Sequence, residues 1–115
     1  MDYDLEERTA VFGENVIDFA NALPRNEITR PLISQIVRSA PSVGANYMEA
    51  NQASSRKDFR NKIAICRKES NETKHWLRMI SRASQDKKEE CRNLWKESHE
   101  LTLIFPKISK SCQTD

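Results

Sequence analysis

Apolar residues in the central part of the chain recur at alternating intervals of three and four. From about residue 33 to 50 they are Ile33, Ile36, Ala40, Val43, Tyr47 and Ala50. This spacing holds one narrow stripe of an α-helix against a partner helix, as in a coiled-coil seam. A second pattern of the same kind follows the polar turn 51–55 and continues to about residue 72. The chain is therefore predicted to fold by packing helices together.

The same alternation occurs in four segments, and each segment predicts an amphipathic helix. The predicted helices cover residues 4–22, 29–52, 55–84 and 87–108. The stripe of the first helix is Leu5, Phe12, Val16, Phe19 and Leu23, widened by Val11 and Ala20. That of the third helix is Phe59, Ile63, Cys66, Ser70, Thr73, Leu77 and Ile80. That of the fourth helix is Cys91, Leu94, Ser98, Leu101, Phe105 and Ile108. Because the connections are short, the prediction is an all-α, antiparallel up-down-up-down four-helix bundle, with residues 1–115 forming one domain.

Two prolines lie inside predicted helices. Pro41 removes one backbone hydrogen bond from the second helix, but the apolar register continues past it. The second helix is therefore predicted as one kinked helix, with two short helices divided near Ser39 as the alternative. Pro106 is predicted to kink or end the fourth helix, and Thr29 is the predicted N-cap of the second.

A row of polar residues runs beside the stripe of the second helix, and acidic residues of the third helix face it. The members of this structural polar row are Ser39, Asn46, Glu49, Glu69 and Glu72. We expect the glutamates to pair with Ser39, Asn46 or arginines and to fix the register of helices two and three. A functional carboxylate pair across the two helices is the alternative.

Metal and catalytic patterns are sparse. Helix bundles that hold two metal ions need two Glu-x-x-His units. Glu72 and His75 match one unit, whereas His99 has Lys96 in place of the glutamate. The sequence also lacks a G-x-S-x-G elbow and has only two glycines, too few for a phosphate-binding loop. We predict no catalytic residue, no metal site and no cofactor, and a solvated His75.

The cysteines and the termini indicate a cellular setting. Cys66, Cys91 and Cys112 show no metal-ligand spacing, and the first two lie on apolar stripes, so buried free thiols in a reducing cytosol are expected. The first residues are acidic and do not resemble a signal peptide. The longest apolar run, residues 101–105, is far shorter than a membrane span. We expect a cytoplasmic protein that does not contact membranes.

Positive charge is concentrated on the third helix, which has nine basic and three acidic residues. Five of the basic residues share one side of this helix: Lys57, Arg60, Arg67, Lys74 and Arg78. At 1.5 Å per residue the row is about 30 Å long, enough to follow a phosphate backbone without reading bases. The alternative is a solvated face, or a face that pairs with the acidic first helix of a neighbouring subunit. Trp76 and Trp95 lie beside the stripes, where they would widen the core or contact another subunit.

Two segments carry a resemblance to a known family. They are QIVRSAPSVGANYMEA at residues 35–50, together with the later Asp58-Phe59 and KE..E...WL at residues 68–77. The chain resembles the small bacterial four-helix bundle proteins encoded in intervening sequences of large-subunit ribosomal RNA genes. It is similar also to the accessory variability proteins of diversity-generating retroelements. The resemblance implies an up-down bundle in a ring-like homopentamer, and its retroelement members bind reverse transcriptase and nucleic acid through a basic surface.

Three functions are compatible with these observations. The first is a non-enzymatic homo-oligomeric bundle that binds RNA or DNA, alone or beside a partner such as a reverse transcriptase. The second is a purely structural oligomeric scaffold in which the acidic first helix meets the basic third helix of a neighbour. The third is a metal-dependent enzyme. The resemblance transfers no catalytic residue, although Asn46 and Glu49 match the family motif.

Overall fold

A computed structural model describes residues 4–113, with side chains up to residue 111. Over this range the chain forms four α-helices: α1 (Leu5–Asn21), α2 (Thr29–Asn51), α3 (Arg56–Ala83) and α4 (Lys88–Gln113). A 3₁₀ turn, Gln85–Lys87, leads into α4. The structure confirms the predicted all-α class, and the first three helices begin and end within one residue of the predicted bounds. Cys112 lies outside the described side chains.

Consecutive helices are neighbours and run in opposite directions. α1 packs on α2, α2 on α3 and α3 on α4, while α1 meets α4 along a smaller contact. The facing residues are Thr9 and Gly44, Gly13 and Pro41, Ser39 and Thr73, Val43 and Cys66, Ile63 and Phe105, and Leu77 and Cys91. Within each pair of helices, the residue numbers of one helix increase along the contact while those of the other decrease, so neighbouring helices are antiparallel. This is the predicted up-down-up-down order. The bundle measures 50 × 21 × 19 Å.

The predicted stripes form the core. Every stripe position of α1 is buried, as are all those of α3 except Phe59, which is partly buried. In α2 and α4 the stripe positions Ile33, Tyr47, Leu94 and Ile108 are partly buried and pack against the same cluster, and the other stripe positions are buried. Val11 is 37% exposed, so the prediction that it widens the buried face of α1 was wrong.

Small residues let the helices approach closely. A Cβ added to Gly13 would lie 3.2 Å from the Cα of Pro41, and one added to Gly44 would lie 3.3 Å from Thr9 Oγ1. These two glycines therefore serve the contact between α1 and α2. Between α3 and α4, Ser98 Oγ donates a 2.8 Å hydrogen bond to the Ser70 carbonyl.

Both prolines are accommodated inside continuous helices. α2 runs unbroken through Pro41, which excludes the alternative of two helices divided near Ser39. α4 continues through Pro106 to Gln113, five residues past its predicted end at Ile108. Partly buried Pro106 follows the fully buried Phe105, so tertiary packing holds this turn although the proline removes one backbone hydrogen bond.

The cap of α2 differs from the prediction. Asn26 Oδ1 accepts hydrogen bonds of 2.9 Å from the backbone N–H groups of Ile28 and Thr29. Asn26 therefore caps the helix, since an N-cap side chain satisfies the free N–H groups two and three residues later. The Thr29 hydroxyl instead accepts from the Asn26 N–H and donates to the Pro24 carbonyl. In α3 the cap is Ser55, whose hydroxyl accepts from the Asp58 N–H at 3.0 Å.

Candidate nucleic-acid interface

The basic row predicted on α3 borders the line along which α3 packs against α4. Arg67 lines a cavity together with Phe105 and Lys110 of α4, and Arg78 lines another together with Trp95 and other α4 residues. Lys74 contacts His99. Arg60 lies two turns before Arg67 on the same side of the helix, while Lys57 is exposed at the start of α3. The row therefore forms one edge of a groove.

The other edge comes from α4, and the sequence analysis missed it. We define the α3/α4 groove by its cationic residues: Arg60, Arg67, Lys74 and Arg78 from α3, and Lys88, Arg92 and Lys110 from α4. The α4 members recur with Trp95 and His99 on one side of that helix. The flanking-row argument that selected the α3 residues could have found this row on α4, but not which residues of α3 it faces.

Three cavities lie along this groove, and no carboxylate lines any of them. The first, of about 230 Å³, is lined by Leu77, Arg78, Ser81, Lys88, Cys91, Arg92 and Trp95. The second is lined by Ile63, Ala64, Arg67, Phe105, Pro106, Ser109 and Lys110. The third is lined by Arg78, Met79, Ser81, Arg82, Gln85 and Lys88. The groove thus offers positive charge from both helices along its length.

The charges on the two sides of α3 are balanced differently. On the side towards α2, Lys62 Nζ lies 2.8 Å from Glu49, and Arg38 reaches across to the two glutamates of α3. On the side towards α4, no ion pair within residues 4–111 involves Arg67 or Arg78. The acids in the middle of α4 turn the other way, where Glu97 and Glu100 bind Arg8 of α1. The groove therefore retains its positive charge.

An ordered aromatic side chain lies in the groove. Trp95 is 38% exposed, and its indole stacks on His99 with ring centroids 5.0 Å apart and planes inclined by 16°. Lys74 Nζ lies 3.1 Å from His99 Nδ1 and 5.1 Å from the centroid of the Trp95 ring. Trp95 was predicted to widen the core or contact another subunit, and the structure places it at a cavity mouth among cations.

Two thiols lie in the core: Cys66 of α3 contacts α2, and Cys91 of α4 lies beside α3. Burial raises the pKa of Cys91 to about 11 and that of Cys66 to about 12, so both are neutral thiols at physiological pH. They are free and buried, as predicted. Cys91 lines the cavity beside Trp95, and its neutral thiol adds no negative charge there.

The polar row lies between α2 and α3. Arg38 donates to Glu69 at 2.8 Å and to Glu72 at 3.0 Å, so one guanidinium joins the two carboxylates. Glu69 is only 6% exposed. Burial alone would raise its pKa, but hydrogen bonds from Arg38, Glu72 and Ser42 outweigh burial and lower it. The pKa of Glu72 is raised, chiefly because a hydrogen bond to Glu69 favours its protonated form.

The remaining polar residues also bind within the bundle. The Ser39 and Thr73 hydroxyls hydrogen-bond across α2 and α3 at 2.8 Å, and both are fully buried. Asn46 donates to the carbonyl and the hydroxyl of Ser42 and to neither glutamate. Glu49 is exposed and pairs with Lys62. Ser39, Glu69 and Glu72 therefore join α2 to α3, whereas Asn46 bonds only within α2.

We expect Arg38→Met to lower the free energy of unfolding by about 2 kcal/mol at about pH 7, less than for a fully buried pair because Arg38 is half exposed. Glu69 would then be a buried carboxylate without its cation. The pKa of Glu69 is lowered in the folded wild type, so its ion pair stabilises the fold at pH values above about 4.3, the pKa of a glutamate in the unfolded chain. This stabilisation is lost as the pH falls further. The deficit of the variant should therefore shrink towards about pH 4. Urea unfolding of both proteins between about pH 4 and pH 7 measures this difference in the free energy of unfolding.

The control for this experiment is Arg30→Met. Arg30 is an exposed arginine of the same helix, and no ion pair of its side chain occurs within the described residues. Its replacement should change stability by less than about 0.5 kcal/mol at every pH. A deficit of Arg38→Met that stayed constant with pH would contradict the carboxylate argument.

The residues considered for metal binding do not converge. His75 is exposed and contacts the edge of Trp76, with ring centroids 4.9 Å apart. Between residues 4 and 111, no group of three or more histidine, cysteine or acidic side chains is arranged to hold a metal ion.

Trp76 packs against the core, and its buried indole N–H has no acceptor among the described atoms. No helix in the described part of the chain is both long and apolar enough to span a bilayer.

Comparison with known proteins assigns the chain to a family. The model of the 23S rRNA-intervening sequence protein family matches residues 1–113. The chain belongs to this family. A crystal structure of an S23 ribosomal protein family member from Bacteroides thetaiotaomicron, described as a protein with unknown function, superposes with a TM-score of 0.81 at 31% identity. The match covers 91% of this chain and 97% of that one. No curated protein matches the chain.

Membership of the 23S rRNA-intervening sequence protein family confirms the resemblance read from residues 35–50 and 68–77. In these segments Ser39, Asn46 and Glu69 all make contacts within the bundle, between α2 and α3 or within α2. The part of the family pattern that was recognised in this sequence therefore describes how two helices pack. Leu77 of this pattern also lines a cavity of the α3/α4 groove, whereas the cations that define the groove lie outside the pattern.

Proposed function

We propose that this protein is a non-enzymatic, homo-oligomeric bundle that binds the phosphate backbone of RNA or DNA along the α3/α4 groove. The observation that carries the proposal is the set of three cavities lined by cations from two helices and by no carboxylate. Phosphate contacts of this kind give affinity without base recognition, because the backbone charge is the same in every sequence.

The groove has the dimensions of a backbone-binding surface. Arg60 and Arg78 are 18 residues apart on one straight helix, which corresponds to about 27 Å. Arg67 and Lys110 line one cavity in this stretch, and Arg78 and Arg92 line another. Arginine and lysine are the residues that bind phosphate most often, and no carboxylate lines either of these two cavities. A partner protein such as a reverse transcriptase would bind a surface that the nucleic acid leaves free.

Binding of a labelled hairpin RNA and a labelled duplex at increasing salt tests this function. Fluorescence anisotropy should show binding at low salt to both probes, with little dependence on sequence. The logarithm of the binding constant should fall linearly with the logarithm of salt concentration, with a slope of about −4 if four or five phosphates are neutralised. Absence of binding at low salt, or affinity that does not respond to salt, would refute the proposal.

A second candidate, a structural scaffold, is favoured by a different surface. A cavity of about 330 Å³ between α1 and α2 is lined mainly by apolar and small residues, including Gly13, Ile17, Pro41 and Met48, with Glu6 and Glu14 among the lining residues. Ile17 is 40% exposed and Met48 53%. Exposed apolar residues grouped in this way suit a contact with a second copy of the chain, and the acids suit a basic neighbour.

Light scattering at moderate salt tests the homo-oligomer that both candidates share. A mass of several subunits is expected, and the resemblance implies five. A monomeric mass would contradict the homo-oligomer that both candidate functions assume. Nucleic-acid binding by an oligomer would favour the first candidate, and an oligomer that binds no nucleic acid would favour the scaffold.

A further inference from the structure

The cavity beside Trp95 has features that backbone binding does not require. Its floor is apolar, since Leu77 is 1% exposed and Cys91 2%. Its remaining lining includes three cations, Arg78, Lys88 and Arg92. A surface that only followed phosphates would need the cations alone. An apolar floor beside an aromatic wall indicates that a flat, uncharged group enters between them.

The aromatic wall is held in place before any ligand arrives. Trp95 lines the cavity and His99 does not, so the indole separates the imidazole from the cavity. Stacking on His99 and the nearby Lys74 ammonium fix the orientation of the ring. A side chain that is already ordered loses little entropy on binding, which favours affinity. Trp95 thus presents an exposed, fixed surface to the groove.

The size and charge of the cavity restrict its occupant. A volume of about 230 Å³ is below the roughly 300–1,000 Å³ typical of sites for drug-sized ligands, so one ring system fits better than a larger ligand. An apolar peptide side chain would leave three cations partly desolvated and unpaired, at a cost in free energy. A planar group flanked by phosphates satisfies the floor, the wall and the cations together.

The positive charge continues beyond the cavity at both ends. On one side Arg82 lines the adjoining cavity together with Arg78 and Lys88. On the other side the groove continues to Arg67 and Lys110. A free mononucleotide would use only the middle of this surface, whereas a strand would place phosphates along all of it. The occupant that fits is therefore one base of a nucleic-acid strand.

We propose that the cavity beside Trp95 receives an unpaired base, which stacks on the indole while the flanking phosphates bind Arg78, Lys88 and Arg92. This inference rests on the proposed function and specifies its preferred substrate: single-stranded or looped nucleic acid over a continuous duplex. Bases in a duplex are already stacked and paired, so they are not free to enter the cavity. Stacking accepts any base, which is consistent with binding that does not depend on sequence.

The test compares a labelled single strand of about 12 nucleotides with a duplex of the same length, within the site sizes known for single-strand binders. The wild type should bind the single strand more tightly. Trp95→Ala should lower single-strand affinity by about 5- to 100-fold, the effect expected for loss of one stacked base, and should change duplex affinity less than about twofold. The salt dependence should stay the same, because no phosphate contact is removed. Trp95→Phe should restore most of the affinity.

A measurement on the wild type makes the test independent of variant folding. A strand of the same length that carries abasic sites keeps every phosphate but has no bases to stack. It should bind the wild type as weakly as the natural strand binds Trp95→Ala. Trp76→Phe is the matched control, because Trp76 does not line the cavity, and its single-strand affinity should equal that of the wild type.

The outcomes separate the inference from the function on which it rests. Equal affinity of the wild type for natural and abasic strands, or equal losses on strand and duplex in Trp95→Ala, would overturn base stacking and leave backbone binding intact. A free mononucleotide that binds as tightly as the strand would show that the cavity is a site for a nucleotide ligand. That result would overturn the inference. Binding of neither strand nor duplex would overturn both.

Discussion

The double replacement Arg67→Glu and Arg78→Glu is expected to lower affinity for RNA about 100-fold at low salt, because it removes two phosphate contacts and adds two repulsive charges. Both arginines are exposed, and no ion pair within the described residues involves either one. The reversal therefore breaks no native ion pair, and unfolding by urea should be nearly unchanged. The slope of the salt dependence should become shallower by about 2, one for each lost contact. Anisotropy titrations at several salt concentrations measure both effects.

The matched control reverses the same number of charges elsewhere. Arg25 and Arg30 are exposed, the first in the connection between α1 and α2 and the second in the first turn of α2, and neither lines a cavity of the α3/α4 groove. Their replacement with Glu changes net charge equally but leaves the groove intact. Affinity should then fall by no more than about threefold, because the reversal removes none of the proposed phosphate contacts and salt weakens the effect of other exposed charges. Equal losses for the two double variants would show that overall charge, and no particular groove, attracts the RNA.

The helical pattern was predicted from sequence because it depends on local spacing. A three-four repeat of apolar residues fixes which side of each helix is buried, and the core of this bundle follows it closely. The errors lie where tertiary contacts overrule local preference. The fourth helix was predicted to end at Ile108, yet α4 continues past Pro106 to Gln113 because Phe105 is anchored in the core. Asn26 replaces Thr29 as the cap of α2 through hydrogen bonds that the sequence does not show directly.

The sequence analysis recognised only the α3 side of the candidate groove, for a geometric reason. A row such as Arg67, Lys74 and Arg78 can be recognised within one helix, because its spacing is a property of that helix. Which residues of another helix stand opposite depends on the register of packing. Arg92 and Trp95 could therefore join the row only after the contact between Leu77 and Cys91 was known. The role proposed for Trp95 in particular rests on its position between His99 and the cavity.

Core packing gives the largest expected change in stability. Phe105 is fully buried, faces Ile63 of α3, and lies with its ring centroid 6.5 Å from that of Tyr47 of α2. It thus joins three helices at the end of the bundle near the start of α3. We expect Phe105→Ala to lower the free energy of unfolding by about 3–5 kcal/mol, because it loses both the buried surface and the packing around it. The midpoint of thermal unfolding should fall by about 10 °C or more.

Leu103→Ala separates the loss of packing from any effect of shortening a side chain in α4. Leu103 lies two residues before Phe105 in the same helix but is 53% exposed. Its replacement should cost less than about 1 kcal/mol, since little buried surface is lost. Both variants must be compared at one protein concentration, because association would raise the midpoint of each. Similar losses for the two variants would mean that Phe105 does not lie in the core, and the arrangement of α2, α3 and α4 around it would be wrong.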